Sequence, residues 1–318
     1  MFLLDAKGVR MGKIHHLIEE YGVEGAMSKA ETAEERGLVK LAHEYMADEH
    51  SGFGFSHSLF CTAFLPHRAL PDGEPWRRVI GRSTLMIEPT HLADGRRSGV
   101  PYGAKARLIL IFLQSEAVRT RSRTIELGSS MRSFMRRLGI STGSSGYRIV
   151  RDQSRRIEHS LISASYHGND GVRSWRDTIL RGHFLPHEQV DPRQSNLFPE
   201  SVELGEKFYE ALLRHPARFS EAAIRQLKDK SMALDIYMFL SYRLGVLEEP
   251  TAVSWARLKD QFGWGYSNLR QFRWKFLKEM NKALAVYDSA EVTVDEEGLV
   301  LQPSPRPLIF KRRGLQLS

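Results

Sequence analysis

The chain has 318 residues, of which 42% are hydrophobic and 26% charged, with a single cysteine, Cys61. That size fits two or three domains with sizeable cores, and one cysteine excludes an internal disulfide and a cysteine-built zinc site. The longest apolar run, Leu108 to Leu113, is far below the roughly 18 residues of a membrane span, and four apolar residues before Asp5 are too few for a signal peptide; the expected location is the cytoplasm, with no membrane partner.

The net charge of +8 is unevenly placed. Residues 1–100 carry 12 basic and 14 acidic side chains, residues 101–190 carry 15 and 7, and residues 191–318 carry 19 and 17. Of the 15 basic residues in the middle segment, 14 are arginine, whose planar fork fits phosphate oxygens. An anionic polymer is the partner this favours, set against the plainer reading of a solvated basic face.

In chain order, residues 1–50 read as an acidic helical extension. Ile14, Leu17, Ile18 and Tyr21 keep a helical spacing, as do Leu38, Leu41, Ala42 and Tyr45. Ser58–Leu65 and Thr84–Ile87 read as strands. A first block follows within residues 51–190: an apolar helix over Ala104–Ala117, a short helix over Met131–Leu138 capped by Ser130, and a turn rich in glycine and serine. A basic helix over Tyr147–Ser160 comes next, then a hairpin of Leu161–Tyr166 and Trp175–Phe184 about Gly168 to Gly171. A proline-bearing linker is expected from Pro186 to Pro199. Residues 191–318 repeat the order: an apolar helix over Met232–Leu244 capped by Ser231, a short helix from Ser254 to Phe262, a basic helix over Ser267–Tyr287 and a hairpin about Glu296 to Gly298. A helix-turn-helix followed by a β wing, present twice, gives the expected fold class: α+β, two tandem winged-helix domains behind a helical N-terminal extension.

Each basic helix has the two faces a DNA reader needs. On a 100° wheel with Leu269 at the origin, Phe272, Phe276, Met280, Ala283 and Leu284 gather within about 60°. Asn268, Gln271, Lys275, Lys278 and Lys282 lie opposite, with Arg270 on the flank. Asn and Gln can pair with adenine and Arg with guanine, so Asn268, Arg270 and Gln271 are candidate base readers; Lys275, Lys278 and Lys282 are candidate phosphate contacts. In the first block Ile149, Val150, Ile157 and Leu161 are the expected apolar side. Arg148, Arg151 and Arg155 are candidate backbone contacts there, while Gln153 points to the core. The first domain is thus expected to grip the backbone and the second to read bases.

Enzyme signatures are not found. The sequence holds no phosphate loop of the G-x-x-x-x-G-K-[ST] type, and Gly52-Phe-Gly54 lacks the rest of a dinucleotide fingerprint. No two of the 12 histidines have the spacing of a nicking enzyme's metal pair, and His183 and His187 have Pro186 between them. Cys61 reads as a small core residue and the pairs Glu34-Glu35 and Glu296-Glu297 as solvated. No catalytic residue, metal site or cofactor is assigned.

The stretches from Pro101 to Ile111, Ile125 to Gly128 and Ser133 to Gly139 resemble the plasmid-encoded RepA replication initiators. So do those from Ser231 to Arg243 and from Trp255 to Phe262, within an overall span of about residues 55 to 300. The resemblance implies a non-enzymatic protein that binds repeated sites in double-stranded origin DNA and recruits a host initiator and the replicative helicase. It also implies one domain for dimer contacts, leaving monomer and homodimer both open. A winged-helix transcriptional repressor and a strand-cleaving enzyme are the alternatives.

Overall fold

A computed structural model of the chain describes residues 13–48, 52–182 and 201–307; the expected linker and Phe184 lie outside them. Two compact units form, one from Met1–Gly54 with Arg218–Ser318 and one from Phe55–Ala217. The divisions expected at residues 50 and 190 therefore differ from those observed, because the N-terminal helices pack on the last hundred residues.

These helices are α1 (Lys13–Ser28), kinked at Gly22, and α2 (Ala33–Ala47). A capping box starts α2: Glu35 N donates to Thr32 Oγ1 at 3.1 Å and Thr32 N donates to Glu35 Oε2 at 3.2 Å, satisfying amides that a helix start leaves open. Strand β1 (Phe53–His57) carries the chain into the middle unit. Ser58–Cys61 is then a 3-10 turn, not the start of a strand over Ser58–Leu65: His57 Nδ1 accepts from Leu59 N at 3.0 Å and holds the chain in a turn.

In the middle unit, β2 (Trp76–Ile80) and β3 (Ser83–Pro89) precede α3 (Gly103–Thr120), β4 (Thr124–Glu126), α4 (Met131–Arg137) and α5 (Ser144–Glu158). The hairpin β5 (Ser160–Gly168) and β6 (Gly171–Thr178) follows, then β7 (Leu180–Arg181), β8 (Ser201–Leu204) and α6 (Glu206–Arg214). The order expected of the first block is observed. Ser130 caps α4 by accepting from Ser133 N at 3.2 Å, and Gly139, at φ 63°, turns the chain beyond it. The hairpin does not stand alone: β5 also pairs with β3, giving a four-stranded sheet in the order β2-β3-β5-β6, while β4, β8 and β7 form a second. Arg107, at the start of the apolar run of α3, is buried and donates to the carbonyls of Leu65, Pro66 and Gly103 at 2.7, 3.2 and 2.8 Å. This arginine of the basic segment is structural.

Strand β9 (Pro216–Ser220) returns the chain to the first unit, which continues with α7 (Glu221–Gln226), α8 (Ser231–Leu244), β10 (Thr251–Ser254), α9 (Trp255–Phe262), α10 (Leu269–Leu284), β11 (Val292–Val294) and β12 (Gly298–Leu301). Lys230, not Ser231, stands at the cap of α8, and Ser231 is its first residue. Ser254 does cap α9, accepting from Arg257 N at 3.3 Å. Gly263 ends that helix where a Cβ would lie 2.6 Å from the Lys259 carbonyl, so a side chain there would force the turn apart. Strand β10 adds to the expected hairpin in the order β10-β12-β11, with Val253 and Val294 both opposite Leu299. Among the described residues no helix is long and apolar enough to cross a membrane.

Rings from α8, α9 and α10 make the core of this unit. Phe262 lies 5.5 Å from Phe239 and 5.2 Å from Phe276, and Phe276 lies 5.3 Å from Phe272, edge-to-face or tilted contacts that suit the ring quadrupoles. Behind them the Tyr237 hydroxyl accepts from the buried Ser220 N at 2.9 Å. Replacing Tyr237 by Phe leaves that amide without its acceptor at the same side-chain shape. We expect a loss of about 1–3 kcal/mol in urea unfolding, with unchanged far-UV circular dichroism.

Candidate nucleic-acid interface

Asn268, Arg270 and Gln271 are all exposed at the start of α10. Asn268 is the cap of the helix: its Oδ1 accepts from Gln271 N at 2.8 Å, so its side-chain carbonyl is committed to the backbone. Arg270 and Gln271 project from the first turn, close to exposed Ser267.

The three expected phosphate lysines are placed otherwise. Lys275 and Lys282 both donate to one oxygen of Glu279, at 2.7 and 2.9 Å, and Glu279 is itself 5% exposed. Burial works against the charge of Glu279, but the hydrogen bonds from Lys275 and Lys282 outweigh it and hold the carboxyl below its ordinary range. Lys278 reaches Glu34 of α2 at 2.9 Å. The lysine row along α10 from Lys275 onward is thus balanced within its own unit by two carboxylates, and the start of the helix presents its polar groups outward. Arg273, on the core side of the wheel, lies over the Trp255 ring at 4.7 Å.

Spacing did not draw attention to Trp274. It is 65% exposed, the most open large apolar side chain on α10, and lies about 140° from Leu269 on the wheel, well away from the core. That angle was the available signal, but an aromatic residue ordinarily belongs to the core. Leu269, the chosen origin, is 40% exposed because it is the first residue of the helix, beyond the aromatic cluster.

On α5, Arg148 and Arg151 are exposed, with Tyr147 and Ile149 beside them; Ile149, expected on the apolar side, is 43% exposed. Arg155 pairs with Asp152 at 3.3 Å and Arg156 with the same carboxylate at 3.0 Å. Gln153 points inward as expected, accepting from Tyr102 N at 2.8 Å. Exposed Arg132 on α4 and Arg173 on β6 are further cations of this unit that helix spacing did not single out, and Arg136 of α4 is exposed as well. The two hairpins differ in charge: the end of β5–β6 carries Asn169 and Asp170 with Arg173 close by, and the end of β11–β12 is Asp295-Glu296-Glu297, all exposed. Among the described residues no group of three or more His, Cys, Asp or Glu side chains could hold a metal ion.

A family model described as "Plasmid encoded RepA protein" matches residues 100–257. This chain is a member of the plasmid-encoded RepA family, a family of replication initiators. The RepA match runs from the start of α3 into α9, a narrower span than the resemblance expected from the sequence, and stops before α10. No curated protein matches the chain. A crystal structure of domains 2 and 3 of RctB is similar at TM-score 0.51 and 14% identity, covering 78% of this chain and 99% of that one. A second crystal structure of RctB domains 2–3 gives TM-score 0.45 and 12% identity over 76% and 94% of the two chains. The first likeness shows a shared mixed α/β fold.

Glu279 makes a direct test of this electrostatic arrangement. A carboxyl with a lowered folded pKa stabilises above its unfolded pKa and ceases to do so as the pH falls through the folded one. Glu279→Gln is therefore expected to lower the melting temperature at neutral pH, with the gap from wild type closing as the pH drops below the ordinary glutamate range. A gap independent of pH would contradict the assignment.

Proposed function

We propose that this RepA-family protein initiates plasmid replication by binding origin DNA through two winged-helix domains, with α5 and α10 as the helices that meet the duplex. The observation that carries the reading is the outward, polar first turn of α10, where Arg270 and Gln271 stand clear on a helix anchored by rings behind it. Support for the tandem fold comes from the repeated order of apolar helix, short strand, short helix, longer helix and hairpin. On this reading α10 reads bases near its start, while Arg148 and Arg151 of α5 hold the backbone. Host initiator and helicase are the protein partners it calls for, and a homodimer is tested by sedimentation with and without DNA.

The deciding assay measures binding of the purified chain to DNA flanking its gene, at several salt concentrations and against scrambled competitor. Direct repeats about two helical turns apart fit an initiator. Gln271→Ala is expected to reduce discrimination about tenfold with little change in salt slope, since a lost base contact releases no counterion. Arg148→Ala with Arg151→Ala should weaken every sequence alike and flatten the salt slope by about two. Equal binding to cognate and scrambled duplex by wild type would overturn the reading.

Glu34→Gln probes the lysine row from the other side. Freed from its carboxylate, Lys278 becomes available to a phosphate, so duplex affinity should rise and the slope steepen by about one. A mutant with unchanged slope would place Lys278 away from the DNA.

A further inference from the structure

We infer that Trp274 is a sequence-determining contact of α10, one that packs its indole against the C5-methyl group of a thymine in the major groove. The inference rests on the reading of α10 as the helix that enters the duplex, and adds to it the class of base that the middle of the helix selects.

Three observations converge on this side chain. Trp274 is 65% exposed in a helix whose other rings, Phe272 and Phe276, are fully buried. It follows Arg270 by four residues and Gln271 by three, so one helical stripe carries Arg270, Gln271 and Trp274. At a rise of 1.5 Å per residue the indole sits about 6 Å further along the axis than Arg270, still within the first two turns that a major groove admits. One turn later the Lys278 ammonium lies 5.6 Å from the ring centre, so open Arg270 precedes the indole and Lys278, paired with Glu34 at 2.9 Å, follows it. An open cation before the ring, and behind it one that can exchange its carboxylate for a phosphate, match a groove edged by phosphates whose floor offers one apolar group, the thymine methyl. An acidic protein partner would meet the same cations, but its binding would not depend on a base methyl group.

Removing that methyl tests the contact directly. Wild-type protein is first used to select its preferred duplex from a random library. Each thymine of that site is then replaced singly by deoxyuridine, which leaves every hydrogen-bonding group in place. At one or two positions the wild type should bind about fourfold more weakly, the value of one buried methyl group. Trp274→Ala should lose at least as much on the thymine site and show no further loss with deoxyuridine at those positions, while Trp274→Phe keeps part of the penalty. The side chain is exposed, so thermal melting of both variants should match wild type. If the wild type selects a site but W274A keeps the same deoxyuridine penalties, this inference fails and the DNA reading stands. If the wild type selects no sequence, both fail together.

Discussion

Phe272 and Phe276 fix the rotation of α10 about its own axis. Phe276 is buried against Phe262 and Trp255, and Phe272 against Tyr266 and Phe276, and rings of that size leave the helix one orientation in which they are covered. Everything on the other side follows from this. Arg270, Gln271 and Trp274 turn outward, Arg273 is drawn over Trp255, and Glu279 is carried into the unit, where two lysines must follow it. The burial of a carboxylate there is tolerable only because both ammonium groups supply hydrogen bonds.

Charge along α10 is therefore graded, a property its composition does not suggest. Near its start the cation Arg270 lies in the open; further along, Lys275, Lys278 and Lys282 each face a carboxylate. Ion pairs this exposed are weak, about 0–1 kcal/mol, so the Lys278–Glu34 pair can be exchanged for a stronger phosphate contact, whereas the pairs of Glu279 stay because that group is buried. The N-terminal helices, which looked like an independent extension, thus bear on the electrostatics of the helix proposed to read DNA.

Much of the local structure was legible in the sequence. The helices of both blocks, the caps at Ser130 and Ser254 and the two hairpins follow from periodicity and turn chemistry, which are local signals. What escaped was set by distant partners. Strands β2, β4 and β10 are five residues or fewer and gain definition only from the strands they pair with. No pattern in residues 13–48 shows that they pack with the chain after Arg218, since that depends on contacts such as the bond from His15 Nε2 to the Ala285 carbonyl at 2.9 Å. At the candidate site the polar start of α10 was readable. The fate of its lysines was not, because the burial of Glu279 among glutamates that are mostly exposed has no signature in composition.

The hairpin β11–β12 ends in three consecutive carboxylates, and a duplex is lined with anions on both strands. Such a tip repels any phosphate within a Debye length, about 10 Å at 0.1 M salt. If α10 enters the groove as proposed, like-charge repulsion makes the hairpin lean clear of the sugar–phosphate rail, which disfavours approach from that flank and steers the helix to dock in one polarity. In the proposed complex these acids would serve as a rudder: they would add nothing to the strength of the grip, but would set which way round the protein faces along its site.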